Sequence, residues 1–171
     1  MSQITVPIQL VRKYNVPGPR YTSYPPATQF SERVDFGAIA ERIRKNNETG
    51  GDLSLYFHLP FCERLCWFCG CTSVITTDRR TSAKYVEALG REIALMKPML
   101  HPDRKVVQWH WGGGSPTFLP PDQLGRLGEL VHAAFKVAPG AEAGVEIDPR
   151  GLTREHLAVL RRIGFNRASV G

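Results

Sequence analysis

Three apolar strand-like segments, each followed by a loop and an amphipathic helix, place the strongest constraint on how this chain folds. The segments are LSLYFHL (53–59), KVVQWHW (105–111) and AGVEID (143–148). Strands that alternate with helices in this way predict an α/β fold built around a parallel sheet. NRASVG (166–171) predicts a fourth strand. The chain should therefore contain about three and a half strand–helix units.

The three helices are marked by apolar residues at helical spacing and by residues that start or stop a helix. Pro98 stops the first helix (about 81–97), the second begins near Pro121, and the third is capped by Thr153 and ends at Gly164. The residues expected to face the core are Tyr85, Leu89, Ile93 and Met96 in the first helix, Leu124, Leu127, Val131 and Phe135 in the second, and Leu157, Leu160 and Ile163 in the third.

The loops that follow the strands are expected to meet at one end of the sheet. Right-handed crossovers place every strand-to-helix loop on the same side. The cysteine-rich loop, the Gly113–Pro116 turn and Asp148 should therefore share one face. That face is the usual place for ligands in open α/β sheets and barrels.

About the first 30 residues contain YNVPGPRYTSYPP (14–26), which combines four prolines with aromatic residues. Proline lacks a backbone donor and keeps its predecessor out of the helical region, so this segment predicts an extended arm. The residues expected to pack are Tyr14, Tyr21 and Tyr24 in the arm, and Phe36, Ile39 and Ile43 on one face of a first helix that Asp35 caps and NNETGG ends. We expect residues 1–50 to form this arm and helix, and residues 51–171 to form the α/β unit.

Charge and hydropathy narrow the class of partner. The chain carries 22 Lys and Arg against 16 Asp and Glu, and the net charge of +6 favours anionic partners. The basic residues do not cluster with interleaved aromatic residues, so nucleic acid is not expected. Every apolar stretch is shorter than the ~18 residues of a membrane span, and MSQITVPIQLVRKYNV (1–16) lacks the features of a secretory signal. We therefore expect a cytoplasmic protein.

All four cysteines lie within HLPFCERLCWFCGC (58–71). In a reducing cytoplasm, such a group predicts metal ligands rather than disulfides. Cys62, Cys66 and Cys69, spaced C-x3-C-x2-C, can surround one corner of a cubane iron–sulfur cluster and leave one iron open to an exchangeable ligand. The alternative is a zinc site with Cys71 as the fourth ligand, although Cys69 and Cys71 are close together for tetrahedral binding.

Other residues near this face have both a structural and a ligand-binding interpretation. The glycines of WGGGSPT (111–117) could form a turn, or N–H groups near the helix start could bind an anion. Glu146 could form an ion pair with Arg150 or bind a ligand. Tyr56 and Phe68 could be core aromatics or pack against a ligand. The residues alone leave these alternatives open.

The cysteine spacing, with Trp67 and Phe68 just before the third cysteine, resembles the signature of the radical S-adenosylmethionine (SAM) superfamily. The resemblance implies part of a (β/α)6 three-quarter TIM barrel, a [4Fe–4S] cluster held by the three cysteines, and SAM on the open iron. It also implies that one electron from the cluster cleaves SAM to methionine and a 5′-deoxyadenosyl radical. By the same resemblance, the residues that contact SAM or flank the cluster are Tyr56, Phe68, Gly113, Gly114, Ser115 and Glu146.

Three further stretches resemble the family of oxygen-independent coproporphyrinogen III oxidases. They are NVPGPRYTSYP (15–25), SLYFHLPFC (54–62) with CGC (69–71), and GVEIDPRGLT (144–153) with GFNRASVG (164–171). This resemblance implies oxidative decarboxylation of two propionate side chains of coproporphyrinogen III to vinyl groups. The product would be protoporphyrinogen IX, an intermediate of haem biosynthesis.

The resemblance also implies two SAM molecules, with Gly114 and Ser115 between them. We further expect an electron donor and a monomeric protein. Arg20 and Tyr24 are candidate substrate contacts, with simple packing as the alternative. Cys71 is a candidate for a role in turnover. Because members of this family are longer than 171 residues, we expect the chain to be the N-terminal part of the barrel and to be inactive by itself.

A second member of the superfamily gives an alternative function. A haem-trafficking relative would use the same fold to bind haem and SAM without decarboxylating a substrate. Cys71 and the proline-rich arm favour the oxidase over this relative.

Overall fold

Four parallel strands form the central sheet, which confirms the predicted α/β fold. The computed structural model describes residues 7–15, 29–31, 33, 35–67 and 69–171. In chain order the elements are α1 (Ile8–Tyr14), α2 (Phe36–Thr49), β1 (Leu53–Leu59), β2 (Phe61–Cys62), β3 (Val74–Ile75), α3 (Arg80–Met96), β4 (Lys105–Gly113), α4 (Pro121–Ala134), β5 (Lys136–Ile147), α5 (Arg154–Ile163) and β6 (Arg167–Val170). The sheet has the order β1-β4-β5-β6 with every pair parallel, and β2 and β3 form a separate short parallel pair.

The chain divides into two compact units, Met1–Phe36 and Gly37–Gly171. The second unit contains the whole sheet and helices α3 to α5. Among the helices that the structure describes, none combines the length and the apolar character that crossing a membrane requires.

Helix α1 lies where the sequence predicts an extended arm, so that prediction is wrong for Ile8–Tyr14. The helix-breaking prolines begin at Pro17, beyond the end of α1, and Pro7 directly precedes its first residue, a position that proline tolerates. Tyr14 is exposed rather than packed. The proline-rich residues 16–28 lie outside the described part of the chain, and their extended conformation stays a prediction.

Helix α2 begins at Phe36 and ends before the two glycines, as predicted. Its apolar face is largely uncovered by the described residues, because Phe36 and Ile39 are exposed and Ile43 is only half-buried. Near its end, the Asn47 side-chain amide donates a hydrogen bond to the Met99 carbonyl oxygen (2.8 Å). This bond connects α2 to the segment that follows α3.

Strand β5 begins at Lys136, several residues before the predicted start at 143. It pairs with β4 in two stretches: Val106 lies opposite Val137, and the pairing resumes where Gln108 lies opposite Glu142. The residues between these stretches include a proline and a glycine, which interrupt the alternating pattern that marks a strand. The early half of the strand therefore carries no clear sequence signal.

The core lies between the sheet and one layer of helices, in which α4 packs between α3 and α5. Trp109 and Trp111 of β4 are almost completely buried, and Phe165 stacks on Trp109 with 4.7 Å between ring centroids. The predicted core residues that are buried are Leu89, Ile93, Leu124, Leu127, Val131, Leu160 and Ile163. Three more, Tyr85, Met96 and Phe135, are half-buried. Most of the predicted core is thus confirmed.

Helix α5 buries two of its three predicted core residues, Leu160 and Ile163. Leu157 is 47% exposed, so its assignment to the core is wrong. The buried side chains are those of His156, Val159, Leu160 and Ile163, which follow helical spacing one residue out of step with Leu157. A histidine at the first of these positions hides the apolar pattern from a reading of the sequence.

Thr153 caps α5 as predicted, and hydrogen bonds satisfy the buried His156 side chain. The Thr153 hydroxyl accepts a bond from the His156 backbone N–H (3.3 Å), and the His156 ring nitrogen Nδ1 lies 2.7 Å from that hydroxyl. On the other side of the ring, Nε2 lies 3.2 Å from the Leu119 carbonyl oxygen. Both ring nitrogens therefore have partners, as a buried polar group requires.

We expect Thr153→Ala to destabilise the start of α5 by about 1 kcal/mol, because the mutation leaves the His156 N–H without its acceptor. Amide hydrogen exchange in the first turn of α5 should become about fivefold faster. Thr153→Ser keeps the hydroxyl and serves as the control, with exchange close to wild type. Unchanged exchange in Thr153→Ala would show that the cap contributes nothing.

Candidate functional site

The ends of β1, β4 and β5 meet at the carboxyl edge of the sheet, as predicted. They line a cavity of about 330 Å³, which lies at the lower end of the range for small-molecule sites. Its lining includes Cys62, Cys66 and Cys69 from the first loop, Gly113, Gly114 and Ser115 from the second, and Glu146, Asp148 and Arg150 from β5 and the turn after it. The three predicted cluster ligands therefore share one cavity with most of the predicted SAM contacts. Phe68 lies outside the described residues.

The cysteine loop is anchored by the short pair of β2 and β3 at its two ends. The Thr76 backbone N–H donates to the Cys62 carbonyl oxygen (2.9 Å), and within the loop the Cys69 N–H donates to the Cys66 carbonyl oxygen (3.1 Å). Cys62 is half-buried at the base of the loop, whereas Cys66 and Cys69 are exposed. The loop thus presents three thiols between two paired ends.

All four cysteines are free thiols. Cys71, unlike the other three, does not line the cavity. Burial raises the pKa of Cys62, and the neighbouring Cys69 and Cys66 add to the effect. The side chain of Cys69, as a hydrogen-bond partner and as a like charge, raises the pKa of Cys71. Because metals bind thiolates, binding at Cys62 must release a proton.

The three thiols at the cavity are compatible with an iron–sulfur cluster. Within the part of the chain that the structure describes, no group of three or more His, Cys, Asp or Glu residues could hold a metal ion. A cubane cluster offers a different iron to each thiolate, so its ligands do not converge on one point. Three thiols that line one cavity therefore fit a [4Fe–4S] cluster.

The glycine turn packs tightly against the start of the cysteine loop. Gly113 adopts a φ of +111°, which favours glycine, and a Cβ there would lie 2.6 Å from the His58 ring. A Cβ on Gly114 would lie 2.6 Å from the Phe61 carbonyl oxygen, a backbone atom that cannot easily move. Both glycines are thus required by contacts inside the protein.

The backbone N–H groups of this turn are used within the protein. Gly113 donates to the Glu146 carboxylate (3.1 Å), Gly114 to the Leu59 carbonyl oxygen (2.9 Å) and Ser115 to the Phe61 carbonyl oxygen (2.8 Å). Because each N–H already has an acceptor, these groups are not available to an anion. A contact of these residues with SAM would therefore use other atoms, and their place in a SAM site stays a prediction.

Glu146 is held beside the cavity by two neighbours. One carboxylate oxygen accepts from the Gly113 N–H, and the other lies 3.4 Å from Nε2 of His110. The expected alternative partner, Arg150, instead forms an ion pair with Asp148 (2.6 Å). The predicted ion pair between Glu146 and Arg150 is therefore wrong. The Glu146 carboxylate is partly exposed and lines the cavity.

Tyr56 is 58% exposed, so its interpretation as a core aromatic is wrong. Its ring stacks on His110, with 6.0 Å between centroids and 10° between planes, and its hydroxyl lies 3.2 Å from Nδ1 of His58. Nε2 of His58 lies 2.9 Å from the Thr72 carbonyl oxygen, just beyond the last cysteine. Burial raises the pKa of Tyr56, and the charge of Glu146 adds to this shift.

The sequence predictions did not include His58 and His110, which contact Tyr56 and Glu146. The signal was present in the alternation of β1 and β4, because side chains two residues apart point to the same face of a sheet. Tyr56 and His58 share one face of β1, and His110 lies between the two buried tryptophans of β4. The opposite face of the sheet therefore carries these polar side chains together with Glu146, which lines the cavity.

Comparisons with known proteins identify the family. A family model described as the radical SAM superfamily matches residues 56–171. Oxygen-independent coproporphyrinogen III oxidase of Mannheimia haemolytica is 45% identical over 152 residues, which are 87% of this chain and 100% of that sequence. The chain belongs to the oxygen-independent coproporphyrinogen III oxidase family of the radical SAM superfamily.

Longer relatives show how much of a family member the chain spans. The enzyme of the same name from Salmonella typhimurium is 44% identical over 169 residues, which are 99% of this chain but 36% of that protein. The solved structure of coproporphyrinogen III oxidase from Escherichia coli, a radical SAM enzyme, matches with a TM-score of 0.83 and 39% identity, over 99% of this chain and 37% of that one. The chain therefore has the radical SAM fold and corresponds to part of the barrel.

Membership of the radical SAM superfamily implies a [4Fe–4S] cluster and SAM. The three thiols that line the cavity fit that cluster. The zinc-stabilised module, which the cysteines alone left open, is therefore not retained.

We expect Cys62→Ser, Cys66→Ser and Cys69→Ser each to lose the cluster, because every cubane iron that the protein holds needs its own thiolate. Iron and acid-labile sulfide, measured after anaerobic reconstitution, should fall from about four per chain to below one. Cys71→Ser is the matched control and should keep the cluster, because Cys71 does not line the cavity. A full complement of iron in Cys66→Ser would contradict this ligand set.

We expect Gly114→Ala to displace the start of the cysteine loop, because the new Cβ would lie 2.6 Å from the Phe61 carbonyl oxygen. The cost should be about 1–3 kcal/mol of stability, as for other overpacked sites, and most of the cluster uptake should be lost. Thermal unfolding and iron content measure the two effects. Gly151→Ala is the control, because a Cβ there meets nothing within 4 Å. Normal uptake in Gly114→Ala would show that this contact does not position the loop.

Proposed function

We propose that the whole protein oxidatively decarboxylates coproporphyrinogen III to protoporphyrinogen IX. The observation that carries this proposal is the 44% identity with the Salmonella typhimurium oxygen-independent coproporphyrinogen III oxidase, which extends over 99% of this chain. In the reaction, each of two propionate side chains loses a hydrogen atom from its β-carbon, one electron and CO₂, and becomes a vinyl group. The electrons pass to an acceptor outside the protein.

Cys62, Cys66 and Cys69 would hold the cluster. The half-buried Cys62 is held by the backbone pairing of β2 and β3. When bound, the cluster and SAM supply the one-electron chemistry that generates the hydrogen-abstracting radical. The role of the protein is to bind these groups in one orientation and to exclude water from them. A part for Cys71 in turnover also belongs to the proposal.

The residues proposed to bind SAM offer acceptors and an aromatic surface. The Glu146 carboxylate faces the cavity and suits the positively charged amino group of SAM. Gly113 and Gly114 can contribute backbone carbonyl oxygens, since their N–H groups are already used. Ser115 lines the same cavity, with its hydroxyl 3.1 Å from that of Thr117. These contacts, together with a second SAM molecule beside Gly114 and Ser115, belong to the proposal.

Of the two aromatic residues in the proposed SAM site, the structure describes Tyr56. Tyr56 presents an exposed ring on the same face of the sheet as His110 and Glu146. An exposed ring of this kind suits stacking with the adenine base. Phe68 is proposed to flank the cluster and lies outside the described residues.

The substrate and the remaining partners rest on charge and family. A substrate with four carboxylates suits a chain with a net charge of +6. Arg20 and Tyr24 remain proposed substrate contacts in the part of the arm that lies outside the described residues. An electron donor, a monomeric state and a cytoplasmic location complete the proposal. The haem-trafficking alternative gains no support, because the relatives described above are named as oxidases.

We expect the whole protein, with its cluster reconstituted, to convert coproporphyrinogen III to protoporphyrinogen IX when supplied with SAM and a reductant under anaerobic conditions. Chromatography of the oxidised porphyrins measures the product. The Cys66→Ser variant is the control without a cluster ligand and should give no product. Intact substrate, from protein shown to contain iron and sulfide, would overturn the proposed reaction.

The 171-residue chain by itself is expected to give no turnover, because it spans 36% of the length of the Salmonella relative. The rest of the barrel would have to contribute to the substrate cavity. Turnover by the isolated chain would contradict this expectation while leaving the proposed reaction in place.

A further inference from the structure

Arg150, which the SAM site does not use, points its guanidinium at a cluster ligand. Its Nη2 atom lies 3.9 Å from Sγ of Cys66, within the range of an N–H···S hydrogen bond, which is longer than one to oxygen because sulfur is larger. Both residues line the cavity at the carboxyl edge of the sheet. Arg150 comes from the turn after β5, so two distant parts of the chain meet at this contact.

Asp148 holds this guanidinium in place. Its carboxylate accepts from Nε of Arg150 (2.9 Å and 3.0 Å), from Nη2 (2.6 Å) and from the Arg150 backbone N–H (3.0 Å). The hydrogen bond from the Arg150 side chain is the main reason why the pKa of Asp148 is lowered. Nη2 carries two N–H bonds, so it can donate to the carboxylate and to the sulfur together.

We propose that Arg150 donates a hydrogen bond to the Cys66 thiolate and thereby raises the reduction potential of the cluster, with Asp148 as the positioning residue. Reduction adds negative charge to the cluster and its sulfur ligands, so a donor on a sulfur stabilises the reduced state more than the oxidised state. The ion pair of Arg150 and Asp148 has no net charge. The effect therefore comes mainly from the directed N–H bond rather than from an added positive charge.

This inference rests on the cluster that the superfamily implies, and it does not depend on the proposed substrate. The midpoint potential can be measured on the whole protein with its cluster reconstituted, in the absence of SAM and substrate. A failure of the decarboxylation assay and a failure of this inference are therefore distinguishable.

The first test replaces the donor. Arg150→Met keeps an unbranched side chain without charge or N–H groups, and we expect the reduction equilibrium to shift about tenfold toward the oxidised cluster. For a one-electron couple this is about 59 mV, measured in a redox titration followed by electron paramagnetic resonance. Arg161→Met, in the last turn of α5, is the matched control and should leave the potential unchanged. A wild-type potential in Arg150→Met with full iron content would overturn the proposal.

The second test separates the hydrogen bond from the charge. The double variant Arg150→Met with Asp148→Asn removes one positive and one negative charge, so the net charge near the cluster stays the same. We expect its reduction equilibrium still to lie several-fold toward the oxidised cluster. A wild-type potential in the double variant would mean that Arg150 acts only through its charge, and the proposed hydrogen bond would be wrong.

A third measurement needs no variant and covers the case in which Arg150→Met fails to take up a cluster. Arginine labelled with ¹⁵N only in its guanidino group is incorporated into the wild-type protein, and pulsed electron paramagnetic resonance is recorded on the reduced cluster. We expect a hyperfine coupling from a guanidino nitrogen near Cys66. The absence of any such coupling would overturn the proposal.

Discussion

Backbone hydrogen bonds that join the carboxyl ends of β1 and β4 hold the site together. The Gly114 N–H donates to Leu59 and the Ser115 N–H donates to Phe61, so the glycine turn lies directly against the residue before Cys62. No side chain fits between these two segments, since a Cβ on Gly114 would lie 2.6 Å from a backbone oxygen. The base of the cysteine loop is therefore positioned by residues far later in the chain.

One face of the sheet packs in the core, and the other face carries polar side chains of the candidate site. Trp109 and Trp111 bury their rings under the helices, which provides the apolar contact that fixes the sheet. His110, between them, faces the other way and contacts Tyr56 and Glu146. Because neighbouring residues of one strand alternate between the two faces, the packing of the core also orients the polar groups beside the cavity.

Strand β5 and the turn after it contribute two carboxylates, Glu146 and Asp148, which have different hydrogen-bond partners. Glu146 accepts from the glycine turn and keeps part of its carboxylate at the cavity, whereas Asp148 is occupied by Arg150. The pair with Asp148 uses one N–H of Nη2 and leaves the other to reach Cys66. The ends of three successive strands thus supply the cysteines, the backbone contacts and the charged groups of a single site.

The amino-acid sequence by itself determined the strand–helix alternation, the parallel sheet and the meeting of the cysteine loop with the glycine turn. Hydrophobic periodicity and the handedness of crossovers are enough for these features, because they act along the chain. Only the tertiary structure decided that Arg150 pairs with Asp148 rather than Glu146, and that His156 is buried in place of Leu157. The packed sheet directs Glu146 to Gly113 and His110, which leaves Arg150 to its neighbour Asp148, and packing brings the Leu119 carbonyl oxygen to the His156 ring.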